Sequence, residues 1–439
     1  MDDVELVIEK LVPGGMGLAR LEGRVAFVPH TAPGDRIRGR IEADRRHHLM
    51  VRCQEILVPG PDTVDPGCGV NGRCGGCQLR RIAPETQDAI KTGFVREGLE
   101  RIARLDSAGL VVQPLLPAQQ RDGYRRRATF QVGWNGSEVL LGFFAHGSHD
   151  IVDLTDCPVL DPRLSALFGP LRCFIARLQA RAALNAIEVV AGDAGVGMVF
   201  CLLRPCPNAD KEAMRTFATE IGVDQLWLRL GRAAPRPLVT RRTLSYELDG
   251  LSIAFGPEDF VQGHALQNRL LVAETLRLSG RLSGRGQVAW DLFCGIGNFT
   301  LPLARSFAAV LGADLMAGSL HRAGKNVQKN GLAPVTFRRI DLFREEGVSL
   351  LPWQDPVDLV LLDPPRNGAE TLCRHLATHG KAGRVVYVSC DPATLARDVA
   401  ILVGGGFVLE TVQPVDLFPQ TRHVETIASF TRNGREKKD

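Results

Sequence analysis

The sequence lacks any apolar run near the ~20 residues that a membrane-spanning helix requires, so no membrane partner is expected. Its opening stretch, MDDVELVIEK, is acidic and has no apolar signal region, which points to a cytoplasmic protein. No internal repeat and no low-complexity tract appears, which sets repeat architectures aside. From 258 onward there is no phosphate-binding G-x-G-x-x-G and no G-K-[ST], so a loop cradling phosphates is not expected there. Neither charge sign dominates: 53 Lys and Arg face 49 Asp and Glu, a net charge of +4. That balance tolerates an anionic partner without demanding one. Without a secretion signal, the eleven cysteines should be thiols, ligands or catalysts rather than disulfides. Cys53, Cys173, Cys201, Cys206 and Cys373 stand in apolar surroundings and read as structural.

What is present suits a soluble chain of two or three domains: 439 residues, 45% hydrophobic and 23% charged. Residues 1–57 alternate short β-like runs with glycine turns. Strands at Val4–Leu11, Gly17–Leu21, Arg24–Val28, Asp35–Glu42 and Leu49–Ile56 predict a small five-stranded barrel. Arg36, Arg38 and Arg40 alternate along one strand and share a face. Such a face suits a nucleic-acid backbone, or simply water. VPGPDTVDPGCGVNG reads as a linker into a central α+β segment, 58–257. There, strands at Ala128–Trp134, Val139–Phe144, Ile187–Val190 and Gly197–Leu203 mix with helices at Glu85–Ile102, Arg163–Ala182 and Asp210–Glu220. GYRRRATF clusters Arg125, Arg126 and Arg127 beside Tyr124, as a phosphate contact or a solvated strand edge would.

From 258 to 439, seven strand candidates alternate with helical stretches: QVAWDLF, AAVLGAD, PVTFRRID, VDLVLLD, GRVVYVS, FVLETVQPV and ETIASFTR. This is the pattern of a Rossmann-like, doubly wound α/β sheet, whose ligands sit beyond the carboxyl ends of its strands. Gly295 and Gly297 follow the first strand and let the backbone approach a ligand closely. Asp314, Asp341 and Asp363 end the next three strands. Acidic strand ends without a phosphate loop favour an adenosyl ligand lacking phosphates, namely S-adenosylmethionine. Each aspartate alone is more often a cap; their joint placement carries the expectation. Cys390 ends the fifth strand, just before Asp391-Pro392 opens a helix. The helix dipole there should lower its pKa and favour a nucleophile, although a lone cysteine more often only packs.

Cys68, Cys74 and Cys77 cluster in CGVNGRCGGCQ, with Cys157-Pro158 far downstream. Zinc sites usually pair two close C-x₂-C units, so three clustered cysteines and one distant one fit a 4Fe–4S cluster better. The spacing is not that of radical S-adenosylmethionine enzymes. Arg73, Arg80 and Arg81 surround the loop and could meet phosphates.

The stretch DLFCGIGNFTLPLA…DPPR…VYVSCDPATLARD…FPQTRHVETIASF resembles the RNA 5-methyluridine methyltransferases. The N-terminal barrel resembles a TRAM domain, and the cysteine spacing resembles that of the cluster-bearing branch of the family. The resemblance implies that Gln262, Phe293, Asn298, Asp314, Asp341 and Asp363 contact S-adenosylmethionine. It implies Cys390 as nucleophile, Glu425 as base, and Cys68, Cys74, Cys77 and Cys157 as ligands of a 4Fe–4S cluster. One departure is VQGHALQN, where the family more often has asparagine after the glutamine. The chemistry fits these residue types. A thiolate adding to C6 of uracil makes C5 nucleophilic, and a carboxylate then removes the C5 proton. The base must be unpaired or flipped out. The implied substrate is large-subunit ribosomal RNA, with transfer RNA as the alternative, and the chain is expected to act as a monomer. Cys294, in the glycine turn, is a lesser nucleophile candidate. Methylation of an exocyclic amine, cytosine-C5 methylation and a catalytically silent RNA-binding protein stay open at this point.

Overall fold

The computed structural model describes residues 3–106, 109–280, 287–332 and 335–432. Met1, Asp2, Pro334 and 433–439, assigned from sequence to the barrel, the third catalytic strand and the catalytic segment, lie outside the described residues.

The chain opens with β1 (Asp3–Val7), β2 (Lys10–Val12), β3 (Met16–Leu21), β4 (Arg24–Val28), β5 (Arg36–Asp44) and β6 (His48–Val58). They form one sheet in the order β1-β5-β6-β4-β3-β2. The single strand expected at Val4–Leu11 is two strands. The chain bends at Ile8 and Glu9, whose N–H groups donate to Asp35 (2.9 Å) and Leu18 (2.8 Å) carbonyls on opposite sides. Both edges of the sheet, β1 and β2, are thus consecutive pieces of chain joined at that bend. Ile37 and Gly39 of β5 face inward, while Arg36, Arg38 and Arg40 face out. Arg36 pairs with Glu5 at 3.3 Å and Arg38 with Glu55 at 2.6 Å, so the basic stripe is interleaved with acid.

After an irregular stretch comes α1 (Pro84–Arg101), its proline in the first turn where no N–H is needed. Then follow β7 (Arg127–Asn135), β8 (Glu138–Phe144), β9 (Ile151–Asp153), α2 (Pro162–Ser165), α3 (Phe168–Arg177), β10 (Leu184–Ala191), β11 (Val196–Leu202), α4 (Asn208–Glu220), β12 (Gln225–Leu230) and β13 (Arg236–Thr240). The sheet order is β13-β12-β11-β10-β7-β8-β9. The helix expected over Arg163–Ala182 is broken, because Pro170 is tolerated only in a first turn and α3 must start anew just before it. β12 and β13 were not anticipated, and Pro237 places β13 at the sheet edge. A hairpin, β14 (Leu244–Leu248) with β15 (Leu251–Phe255), turns through Asp249 and Gly250, both at positive φ.

The remainder is α5 (Ala265–Leu278), β16 (Val288–Leu292), α6 (Thr300–Ser306), β17 (Ala309–Asp314), α7 (Ala317–Lys329), β18 (Val335–Arg339), α8 (Glu345–Val348), β19 (Val357–Leu362), α9 (Glu370–His379), β20 (Ala382–Ser389), α10 (Pro392–Gly404), β21 (Phe407–Val415) and β22 (Glu425–Arg432). All seven strands expected here form one sheet, ordered β18-β17-β16-β19-β20-β22-β21. β16 to β20 run parallel, and β22 runs antiparallel between β20 and β21. Apolar clusters cover both faces, one around Trp290, Tyr387 and Leu395, the other around Phe255, Leu301 and Ile427. α1 packs on α10, close enough that a Cβ at Gly98 would lie 3.1 Å from the Pro392 carbonyl oxygen. Val112 and Leu116 bridge in parallel to Val412 and Val415, extending the β21 edge. Among the described residues no helix is long and apolar enough to cross a membrane.

Candidate active site

Strand order reverses where β16 lies between β17 and β19, and a crevice opens there at the carboxyl ends. It holds a cavity of about 780 Å³, in the range of small-molecule sites. Its lining includes Gln262, Phe293, Asp314, Asp363, Cys390 and Glu425, which the sequence scatters over more than 160 positions.

The glycine turn after β16 is held open by its backbone. Phe293 sits at φ 70°, Gly295 at 53° and Gly297 at 97°. A Cβ at Gly297 would strike Leu301 Cδ1 at 2.4 Å, so only glycine fits. The Gly295 N–H donates to one Asp314 oxygen (3.0 Å) and the Met316 N–H to the other (2.8 Å). Asp314 therefore fixes two loops while keeping further acceptor capacity. Asn298 is not among the lining residues. Its amide exchanges hydrogen bonds with Asn268 (2.9 and 3.0 Å) and accepts from the Tyr246 hydroxyl (2.9 Å). Asp341 also lies off the lining and accepts from the Phe343 N–H at 3.1 Å, while its neighbours Ile340, Leu342 and Phe343 do face the cavity. Cys294 is buried beneath the turn.

Sheet register brings Cys390 and Glu425 together. β20 pairs with β22 antiparallel, with Ser389 opposite Thr426, so the next pair along is Cys390 and Glu425. Burial first, then the charges of Glu425 and Asp363, push the Cys390 thiol up to about 12; Arg366 opposes them. The lowered pKa expected from the helix dipole is not found. Asp391 caps α10, its carboxylate accepting from the Ala393 (2.9 Å) and Thr394 (3.0 Å) N–H groups, so the helix end is already satisfied and a negative charge adjoins the sulfur. Glu425 is buried, and burial and Asp363 raise it well above the usual carboxylate range. Burial and Asp291 raise Asp363 to about 7. Burial thus favours the neutral forms of these groups, and a bound cation would favour the charged ones.

Several lining residues escaped the sequence reading. Phe260 is 71% exposed beside the cavity, two positions before Gln262. Arg366 and His423 stood within the quoted motifs, yet nothing in sequence brought them together. Their side chains approach to 3.4 Å, and burial and Arg366 lower His423 to about 4, so its ring is neutral.

A second cavity, about 520 Å³, is lined by Cys68, Cys74, Cys77 and Cys157. Burial raises Cys74, Cys77 (to about 12) and Cys157, and each is raised further by the charge of other thiols of the set. The Gly76 N–H points at Cys74 Sγ, 3.4 Å away. Four thiols round one space, with amide support, are a fitting donor set for an iron–sulfur cluster. Among the described residues no three His, Cys, Asp or Glu side chains are arranged to hold a single metal ion. Of the arginines expected to face phosphates here, Arg80 pairs with Asp122 (2.6 Å) and Arg81 with buried Asp35, while Arg73 is exposed. Gly75, Gly76, Gln78, Arg125 and Arg422 line both cavities.

A family model described as tRNA (Uracil-5-)-methyltransferase matches residues 111–433. The chain belongs to this family. It is an S-adenosylmethionine-dependent RNA uracil-C5 methyltransferase. The enzyme is 34% identical over 432 residues to the 23S rRNA (uracil(1939)-C(5))-methyltransferase RlmD of Aeromonas hydrophila subsp. hydrophila, covering 98% of this chain and 96% of that one. Against the protein of the same name from Thiobacillus denitrificans it is 39% identical, covering 95% and 97%. The fold matches the crystal structure of Pyrococcus abyssi tRNA (uracil-54, C5)-methyltransferase in complex with S-adenosyl-L-homocysteine, with a TM-score of 0.72, 24% identity, and coverage of 98% and 100%.

Proposed function

We propose that this enzyme methylates C5 of a uridine in large-subunit ribosomal RNA, with Cys390 as nucleophile and Glu425 as base. The observation that carries the mechanism is the β20–β22 register, which sets Cys390 against Glu425 within one cavity. The names of the relatives, similar over nearly their full length, support the ribosomal substrate.

S-adenosylmethionine, when bound, supplies an electrophilic methyl group and a positive charge. Gln262, Phe293, Asp314 and Asp363 are the residues to hold it, with Asn298 and Asp341 supporting the loops that face it. Cys390 Sγ attacks C6 of the flipped-out uracil, and the C4–C5 enolate forms. C5 takes the methyl group from the sulfonium, whose sulfur–methyl bond breaks to leave the neutral thioether S-adenosylhomocysteine. Glu425 then removes the C5 proton, the C5–C6 double bond returns and the C6–S bond breaks. The charge of Arg366 favours the ionised form of the thiol. Phe260 offers an exposed ring on which a splayed base can stack.

Cys68, Cys74, Cys77 and Cys157 hold a 4Fe–4S cluster with a structural role, since methyl transfer needs no redox step. Residues 1–57 act as a TRAM barrel for RNA, 58–257 carry the cluster loop and 258–439 form the catalytic part. The enzyme works as a cytoplasmic monomer.

Covalent trapping tests this reading. Anaerobically purified enzyme, S-adenosylmethionine and ribosomal RNA carrying 5-fluorouridine should yield a crosslink with wild type and with Glu425→Gln, and none with Cys390→Ala. Methyl transfer without any crosslink would sink the thiol mechanism. A crosslink to transfer RNA but not to ribosomal RNA would reassign the substrate.

A further inference from the structure

Three arginines stand in a row in GYRRRATF, and the fold gives them different fates. Arg126 pairs with Asp193 and, at 3.9 Å, with Asp161. Arg127 pairs with Glu188 at 3.8 Å and donates to the Asp259 carbonyl. Arg125 makes no ion pair among the described residues. Its Nε donates to the Arg127 carbonyl (3.1 Å), which leaves its terminal nitrogens uncommitted. It faces both the reaction cavity and the cysteine cavity.

Arg422 is the second guanidinium on both linings. Its Nη1 donates to the Gly14 carbonyl (3.0 Å) and its backbone N–H to Gln78 Oε1 (3.3 Å), and among the described residues it too pairs with no carboxylate. The barrel turn at Gly15 abuts this point. A Cβ there would lie 3.0 Å from Arg422 Cβ and 3.1 Å from Gln78 Cβ. Barrel, cysteine loop and the loop before Glu425 therefore meet where the two cavities touch.

Two half-buried guanidinium groups with no carboxylate partner among the described residues suit an anion. The strand-end side of the reaction cavity is the poorer place for one, because the carboxyl groups of Asp314, Asp363 and Glu425 stand there. A flipped-out uridine brings a phosphate on either side of it. We propose that Arg125 and Arg422 form the seat for a phosphate flanking the target uridine. This deepens the RNA-methylation reading and rests on it. Arginine suits the role, since its planar fork matches phosphate oxygens in pairs.

The test uses cluster-loaded enzyme with S-adenosylhomocysteine, so that binding is read without turnover. RNA affinity is measured across a salt series for wild type, Arg125→Gln, Arg125→Lys and Arg422→Gln. The RNAs carry a native backbone, or a neutral methylphosphonate on the 5′ or 3′ side of the target. Iron content is measured on every variant. Arg125→Gln should weaken binding about tenfold and lower the salt slope by about 1, with iron retained, while Arg125→Lys should restore the slope but only part of the affinity. Methylphosphonate at one flank should cost wild type a similar factor and Arg125→Gln nothing more. Unchanged affinity and slope in Arg125→Gln would overturn the seat. So would independent, multiplying losses from the variant and the methylphosphonate. Iron lost from Arg125→Gln but kept in Arg125→Lys would make Arg125 the counter-charge of the thiolates instead. Wild-type trapping on 5-fluorouridine RNA serves as control; its failure would reject the methylation reading itself, and the seat with it.

Discussion

The two cavities share a wall but are built on different plans. The reaction cavity takes Phe293, Asp314, Asp363, Cys390 and Glu425 from the ends of five adjacent strands, so their spacing is dictated by β-sheet register. The cysteine cavity takes three of its thiols from an irregular loop and the fourth from beyond β9. That loop is held by side chains, chiefly Arg80 on Asp122 and Arg81 on Asp35, and by a bridge between Cys74 and Ala145. A sheet can position reacting atoms before any ligand arrives. A loop of this kind depends more on what it encloses.

The sharpest way to break this comparison is Glu425→Gln. It should slow methyl transfer by about 10²–10⁴, leaving S-adenosylmethionine affinity and iron content unchanged, as equilibrium binding and iron assay will show. Loss of iron in that variant would mean that the cavities are not separate constructions.

Lys91→Met attacks the support behind the wall. The Lys91 and Asp416 side chains are both 0% exposed and meet at 2.6 Å, and Lys91 Nζ also donates to the Phe418 carbonyl (3.0 Å). Breaking this buried pair leaves Asp416 with only the more distant Arg121 (3.5 Å), so urea unfolding should show a loss of at most about 3–5 kcal/mol. The pair anchors the loop that carries Phe418, Arg422 and His423 into the reaction cavity.

A smaller effect concerns charge. The thiolate of Cys390 is scarce below its raised pKa and grows as pH rises, so alkylation of Cys390 should accelerate across pH 7–10. A bound sulfonium cation should move that profile to lower pH by about one unit, roughly tenfold in rate at pH 8. Neutral S-adenosylhomocysteine should not. Equal profiles with both ligands would remove cation stabilisation from the account.

Smallest of all should be neutralising the barrel stripe. Arg36 and Arg38 are exposed and already paired with Glu5 and Glu55, and such pairs contribute about 0–1 kcal/mol. Arg36→Gln should shift the melting temperature by no more than about 2 °C in a thermal scan.

The same contrast explains what could be read from sequence. The catalytic strands were legible because each is a short apolar run closed by a polar residue, and Asp314, Asp363 and Cys390 close three of them. Pairing of Cys390 with Glu425 was not legible, because it depends on β22 inserting antiparallel between β20 and β21. Arg366 and His423 were hidden for the same reason. The helix-dipole argument for Cys390 failed because burial of the thiol, and then the neighbouring carboxylate of Glu425, outweigh what a helix end already capped by Asp391 could add. Asn298 looked like a ligand from its motif, yet it serves Tyr246 and Asn268. In the barrel, alternation placed the strands but not the bend at Ile8, which only partners on both sides reveal.

The clasp between α1 and the last strands has a consequence for synthesis. Lys91 and Asp416 are 325 positions apart. At about 5–20 residues per second, a ribosome delivers the second roughly 15–65 seconds after the first. Throughout that interval the apolar side of α1 and the 110–116 strap wait without the sheet they will cover. The catalytic sheet is thus among the last parts of the nascent chain to close, and a truncated product ends with its oldest segments still unclasped.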